Sequence, residues 1–248
     1  MDQLAVPWQL PPTVHIPAYW TAHLQRCTRL KRSPHFLAQI LWQRGIRDMA
    51  SLPGFLAADQ YQPTTAAAIG NEMERAVARL KQAYEQNEKV AIWGDFDADG
   101  VTATSVLWDG LGEFFQQGNR LRYFIPNRLT ESLGLSQRGI DQLADWGAAL
   151  IVTCDTGSTN LQEIADINRL DIDIIVTDHH TLPENRPPVA AIINPRSLPS
   201  DHPLATLSGV AVAYKLIEAL YQSLPASAPA PGGDPARFSG YWPNCRLG

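Results

Sequence analysis

From Lys89 onward the hydrophobic positions of this chain fall into short unbroken runs, each followed by a stretch with helical spacing. The runs at 90–93, 121–125, 149–153, 172–177 and 189–193 predict five strands, and the segments 101–115, 136–146 and 159–170 predict helices between them. Ser136 is placed to cap the second of these helices. Continuously apolar strands that alternate with helices form a sheet covered on both faces, so the pattern predicts an α/β fold with a mostly parallel five-stranded sheet. A last amphipathic helix is expected over 208–224.

The first part of the chain reads differently. Residues 1–18 are interrupted by prolines and predict an extended arm. Residues 34–49 carry Leu37, Ile40, Leu41 and Ile46 as a helical stripe, and 70–85 carry Met73, Ala76, Val77 and Leu80 as another. The expected organisation is an arm and helical segment over 1–88 packed on the core, a catalytic α/β domain over 89–224, and a disordered tail rich in Pro, Ala and Gly over 225–248.

Composition narrows the partners. No apolar run is long enough to span a bilayer, which argues against a membrane protein. The three cysteines, Cys27, Cys154 and Cys245, are too few and too scattered for a disulfide framework or a zinc knuckle, and point to a reducing cytoplasm. A formal charge of −5 gives no overall field that attracts nucleic acid, so a polyanion must be held by a local basic patch or through cations. Arg26, Arg29, Lys31, Arg32, Arg44 and Arg47 form a run without an intervening acid, readable as a solvated face or a phosphate-contacting one.

The chemistry collects where strands end. Asp95, Asp97 and Asp99 follow the first predicted strand, Asp155 the third, and Asp178, His179 and His180 the fourth. In open parallel sheets ligands bind outside these carboxyl ends. So many carboxylates in one mouth repel each other unless a cation is present. Oxygen ligands with imidazole suit Mn²⁺, Mg²⁺ or Zn²⁺, and the carboxylate excess favours manganese or magnesium. An EF-hand calcium loop fits Asp95-x-Asp97-x-Asp99-Gly100 but fails at its twelfth position, where Val106 replaces the required Glu. Two ions sharing a carboxylate are the arrangement of phosphoryl-transfer sites.

VAIWGDFDADG, IVTCDTGSTN and IVTDHH resemble the first three motifs of the DHH phosphoesterase superfamily. The segments YFIPNRLTESLGLS, IINPR and LSGVAVAYKL resemble its RecJ branch of 5′–3′ exonucleases specific for single-stranded DNA. The resemblance implies metal-dependent phosphodiester hydrolysis in recombination and repair, with single-stranded DNA and repair proteins such as a single-strand-binding protein as partners. It implies that Asp95, Asp97, Asp155 and His179 are ligands of two Mn²⁺ or Mg²⁺ ions, with Asp155 the bridge. Asp178 would orient His179, His180 would face the scissile phosphate or leaving group, Arg128 would contact phosphate, and Asp99 would hold the turn. Trp93, Thr156, Leu133 and Ala211 depart from the residues usual in the family. The fourth motif, the DHHA1 domain and the OB-fold domain are expected to be absent, and Asp234 stands in the wrong context to replace the missing acid. Weak or absent activity follows as an expectation. Hydrolysis of short oligonucleotides or cyclic dinucleotides, and a noncatalytic scaffold role, remain open alternatives.

Overall fold

The computed structural model describes residues 14–28, 33–131 and 133–224. The chain divides into two compact units between Pro63 and Thr64. The first contains helices α1 (Ala18–Thr28), α2 (His35–Gln43) and α3 (Leu52–Leu56) around a small core of Trp20, Leu24, Ala38, Leu41 and Leu52. The predicted helix over 34–49 stops early because Gly45 adopts φ 82°, with its amide donating to Trp42 O and that of Ile46 to Leu41 O. This left-handed glycine cap ends the helix. Of the predicted stripe Leu41 is buried, whereas Ile40 is 51% exposed and Ala38 takes the second buried position.

The second unit contains α4 (Asn71–Glu85), β1 (Val90–Trp93), α5 (Ala98–Gly112), β2 (Leu121–Phe124), α6 (Gln137–Trp146), β3 (Leu150–Cys154), α7 (Leu161–Asn168), β4 (Asp173–Thr177), β5 (Ala191–Ile193) and α8 (Gly209–Ser223). The strands form one sheet in the order β2-β1-β3-β4-β5, every pair parallel. Helices cover both faces, as the apolar runs require. Val90, Ile92, Val152, Ile175 and Ile193 face the core shared with α4, α5 and α8. Ala91, Trp93, Ile151, Ile174 and Val176 face the core shared with α6 and α7. Trp93 is fully buried there, with its ring centroid 4.6 Å from that of Phe124.

The boundary expected at 88/89 lies instead at Pro63/Thr64, because Met73, Ala76, Leu80 and Ala83 of α4 are part of the sheet's own core. The predicted tail 225–248 lies outside the described residues. No helix among the described residues is long and apolar enough to cross a membrane. Because β1 lies between β2 and β3, the crossover from β1 to β2 runs one way across the sheet and the crossover from β2 to β3 runs back past β1. That is the switch point at which parallel sheets open a crevice beyond their carboxyl ends.

Candidate metal centre

β1 runs through Gly94 into Asp95, Phe96 and Asp97. The Asp97 carboxylate accepts the Gly100 amide at 2.9 Å and caps α5, which therefore starts three residues before the predicted 101. The Asp95 carboxylate accepts its neighbour's amide, from Phe96, at 2.7 Å and is buried, while Asp97 is exposed. Burial and the adjacent Asp97 hold the Asp95 carboxyl above the usual range.

β3 delivers Asp155. Its amide still donates to Thr177 O at 2.9 Å, but its backbone turns left-handed, φ 62°, and Thr153 Oγ1 closes the turn on Thr156 O at 2.7 Å. The side chain is 1% exposed, and neither carboxylate oxygen has a hydrogen-bond partner. Burial first, then the charges of Asp99 and Asp97, push this carboxyl up to about 7. A buried acid without donors is costly. His179 Nε2 lies 3.0 Å from Asp155 Oδ1 and 3.6 Å from Asp99 Oδ2, without the direction of a hydrogen bond to the Asp155 oxygen.

Beyond β4, Asp178 behaves differently from the expectation. Its carboxylate accepts the amides of Ser158 at 3.0 Å, His179 at 2.7 Å and His180 at 3.1 Å, and it meets His180 Nδ1 at 2.8 Å. The ring it orients is that of His180; His179 offers it only a backbone amide. Burial opposes ionisation of Asp178, but the bonds from Ser158 and His180 outweigh it and hold the carboxyl below the usual range. An ionised Asp178 only accepts, so His180 Nδ1 carries the proton. Burial works against a charge on His180, yet its bond to Asp178 and the neighbouring carboxylates raise its pKa.

Two groups of ligand atoms gather here, each within 4.8 Å: Asp95, Asp97 and Asp155, and Asp155, His179 and His180. Asp155 belongs to both. Cys154 adds no thiolate, since burial pushes it up to about 12 and its sulfur lies 3.4 Å from Thr104 Oγ1 in the core. The donor set is oxygen-rich with imidazole, and its central acid lacks a proton donor. It fits a hard divalent cation or a pair of them.

Asp99 does more than hold its turn. Its two oxygens accept the amides of Gly209 and Val210, each at 2.8 Å, and so cap α8. A Cβ on Gly209 would lie 2.3 Å from Asp155 Oδ1, so the amino end of α8 rests directly on the central acid. Arg128 is exposed beside the acidic turn, its guanidinium 5.5 Å from the Phe96 ring centroid.

Sequence reasoning missed Asn194 and Arg196. Buried Asn194 donates to Ser158 Oγ and to His180 O, both at 3.0 Å, and accepts the Arg196 amide; Arg196 Nε donates to His179 O at 2.8 Å. The signal was available, because Asn194 is the first polar residue after β5, just as Asp95, Asp155 and Asp178 follow their strands.

The DHH family, N-terminal domain, matches residues 89–231. The chain is 37% identical over 192 residues to the single-stranded-DNA-specific exonuclease RecJ of Bacillus subtilis (strain 168), which covers 76% of this chain and 24% of the relative. It is 36% identical over 195 residues to the enzyme of that name from Dickeya dadantii (strain 3937), covering 77% and 32%. The crystal structure of RecJ in complex with Mn²⁺ from Thermus thermophilus aligns with TM-score 0.64 at 26% identity, over 85% of this chain and 28% of that one. The chain spans about a quarter to a third of the length of the curated relatives it matches.

Proposed function

Because this chain belongs to the DHH family, represented by its N-terminal domain, we propose that it is the metal-binding portion of a RecJ-like 5′–3′ exonuclease acting on single-stranded DNA in recombination and repair, in the cytoplasm. Asp95 and Asp97 would hold one Mn²⁺ or Mg²⁺ ion and His179 a second, with Asp155 within reach of both groups. Single-strand-binding protein and other repair proteins are the partners this reading implies. The observation that supports it is the Asp155 carboxylate, buried, without a donor on either oxygen, and common to both ligand groups.

When bound, the ions supply positive charge to the attacked phosphodiester and lower the pKa of the attacking water. The chain's own residues do the rest. The α8 amino end, latched by Asp99, keeps bulk from the Asp155 oxygens. Asp178 holds the His180 Nδ1 proton and leaves Nε2 for the substrate. The bond to Asp178 and the neighbouring carboxylates favour a protonated His180 over burial, and a proton on Nε2 could be given to the departing oxygen. Arg128 supplies a guanidinium for a neighbouring phosphate.

The test is hydrolysis by the chain, with Mn²⁺, of a long single-stranded DNA beside a linear and a cyclic dinucleotide. We expect the long strand to be shortened only slowly, in line with the weak activity expected from the sequence, and Asp155→Asn to abolish the reaction. A preference for either dinucleotide would replace the exonuclease reading. Failure of the chain to bind Mn²⁺ calorimetrically would favour a scaffold role.

A further inference from the structure

Five of the described arginines in the sheet-containing unit, Arg75, Arg79, Arg138, Arg169 and Arg186, face a carboxylate. Their charge is already compensated. Four others make no ion pair among the described residues, and their placement separates them. Arg120 immediately precedes β2 and donates to the carbonyls of Ala83 and Glu88, while Arg122 lies over the Trp146 ring at the end of α6; both are at the amino end of the sheet. Arg128 and Arg196 are at the carboxyl end, beside the acidic centre.

These two arginines follow the two edge strands. In the order β2-β1-β3-β4-β5, Arg128 comes after β2 and Arg196 after β5, with the acids and imidazoles of β1, β3 and β4 between them. Their heads reach inward, Arg128 over Phe96 in the loop after β1 and Arg196 onto His179 O in the loop after β4, and two strand spacings of about 4.8 Å set these loops about 10 Å apart, so the two arginines suit different phosphates of one strand. Arg196 is fixed for such a task. Its backbone is held by Asn194, its Nε is spent on His179 O, and its two remaining nitrogens, on an exposed side chain, have no partner among the described residues. A guanidinium anchored by a carbonyl keeps its whole charge and a two-pronged donor for phosphate oxygens.

Resting on the hydrolase reading above, we propose that Arg196 binds a backbone phosphate of single-stranded DNA on the β5 side of the metal centre, so that the strand crosses the carboxyl edge of the sheet between Arg128 and Arg196. The site thereby favours an extended polynucleotide, because the single internucleotide phosphate of a dinucleotide can engage only one of the two arginines.

The test uses fluorescence anisotropy with Mn²⁺ and phosphorothioate probes that resist hydrolysis: an oligothymidylate of about eight nucleotides, within the usual range of single-strand sites, and the thymidine dinucleotide. Arg196→Ala is expected to weaken the longer probe roughly fivefold and to make its salt dependence shallower by about 0.7, the value for one phosphate contact on a single strand. Its dinucleotide affinity and its Mn²⁺ titration should match wild type. Arg196→Lys, which keeps the charge but loses the planar fork, should retain the wild-type salt dependence. Unchanged binding of both probes by Arg196→Ala would overturn the proposal. So would equal losses for both probes together with weakened Mn²⁺ binding, which would make Arg196 only a prop for the His179 carbonyl. If wild type itself binds neither Mn²⁺ nor the longer probe, the hydrolase reading fails first and takes this inference with it.

Discussion

At Asp155 a left-handed backbone and a buried carboxylate without donors coincide. Asn tolerates that backbone region about as well as Asp, so Asp155→Asn removes the charge while sparing the turn. The variant should bind no Mn²⁺, and its metal-free form should be more stable to denaturant, by on the order of 1–2 kcal/mol at neutral pH. Asp99→Asn, which alters a cap rather than the shared acid, should weaken Mn²⁺ less; equal losses in titration calorimetry would refute the distinction. The same acid sets a pH dependence. Its folded pKa of about 7 lies above the ordinary carboxylate value of 3.8, so the folded chain holds this proton more tightly than the unfolded one. That contribution to stability is present below about pH 4 and is lost as pH rises toward 7. Mn²⁺ must displace the proton, so its affinity should fall below pH 7, and calorimetry near pH 6 in buffers of different ionisation heat should register proton release. That Asp95, Asp97, Asp155 and His179 gather beyond the strand ends was legible in the sequence. The partner of Asp178 was not, because adjacency in Asp178-His179-His180 cannot say which ring folds back onto the acid.

The centre depends on elements meeting end to end. α5 starts on the Asp97 cap, α8 starts on the Asp99 cap, and Gly209 lets the second helix touch Asp155. Gly209→Ala places a methyl 2.3 Å from Asp155 Oδ1. Forcing α8 back should cost about 1–3 kcal/mol of stability and weaken Mn²⁺ binding in the same variant; a wild-type melting temperature and titration would show that the contact is dispensable. Strands were legible to within a residue or two because an apolar run has little freedom about where it is buried. Helix ends were less so. Residues 98–100 read as an acidic turn until the Asp97 cap is seen, and α2 ends at a glycine whose φ no periodicity records. α1 and α3 went unread, since α1 mixes polar residues around Trp20 and Leu24 and α3 contains the Pro53-Gly54 pair that reads as a break.

For the molecule as a whole, continuous apolar runs announced a parallel sheet, and the sheet is entirely parallel. Strand order was not readable, because any order that keeps the crossovers right-handed satisfies the same runs. The assignment of α4 was hidden for a related reason: an amphipathic stripe shows that a face is buried, not which surface covers it. What the order adds is convergence, placing β1, β3 and β4 side by side so that acids far apart in the chain share one mouth. The most direct measurement is diffraction at the manganese absorption edge from crystals of this chain grown with Mn²⁺. The account predicts anomalous peaks on either side of the Asp155 carboxylate, about 3.5–4 Å apart, one beside Asp95 and Asp97 and the other beside His179. Peaks confined to other acids, or none within coordination distance of Asp155, would contradict it.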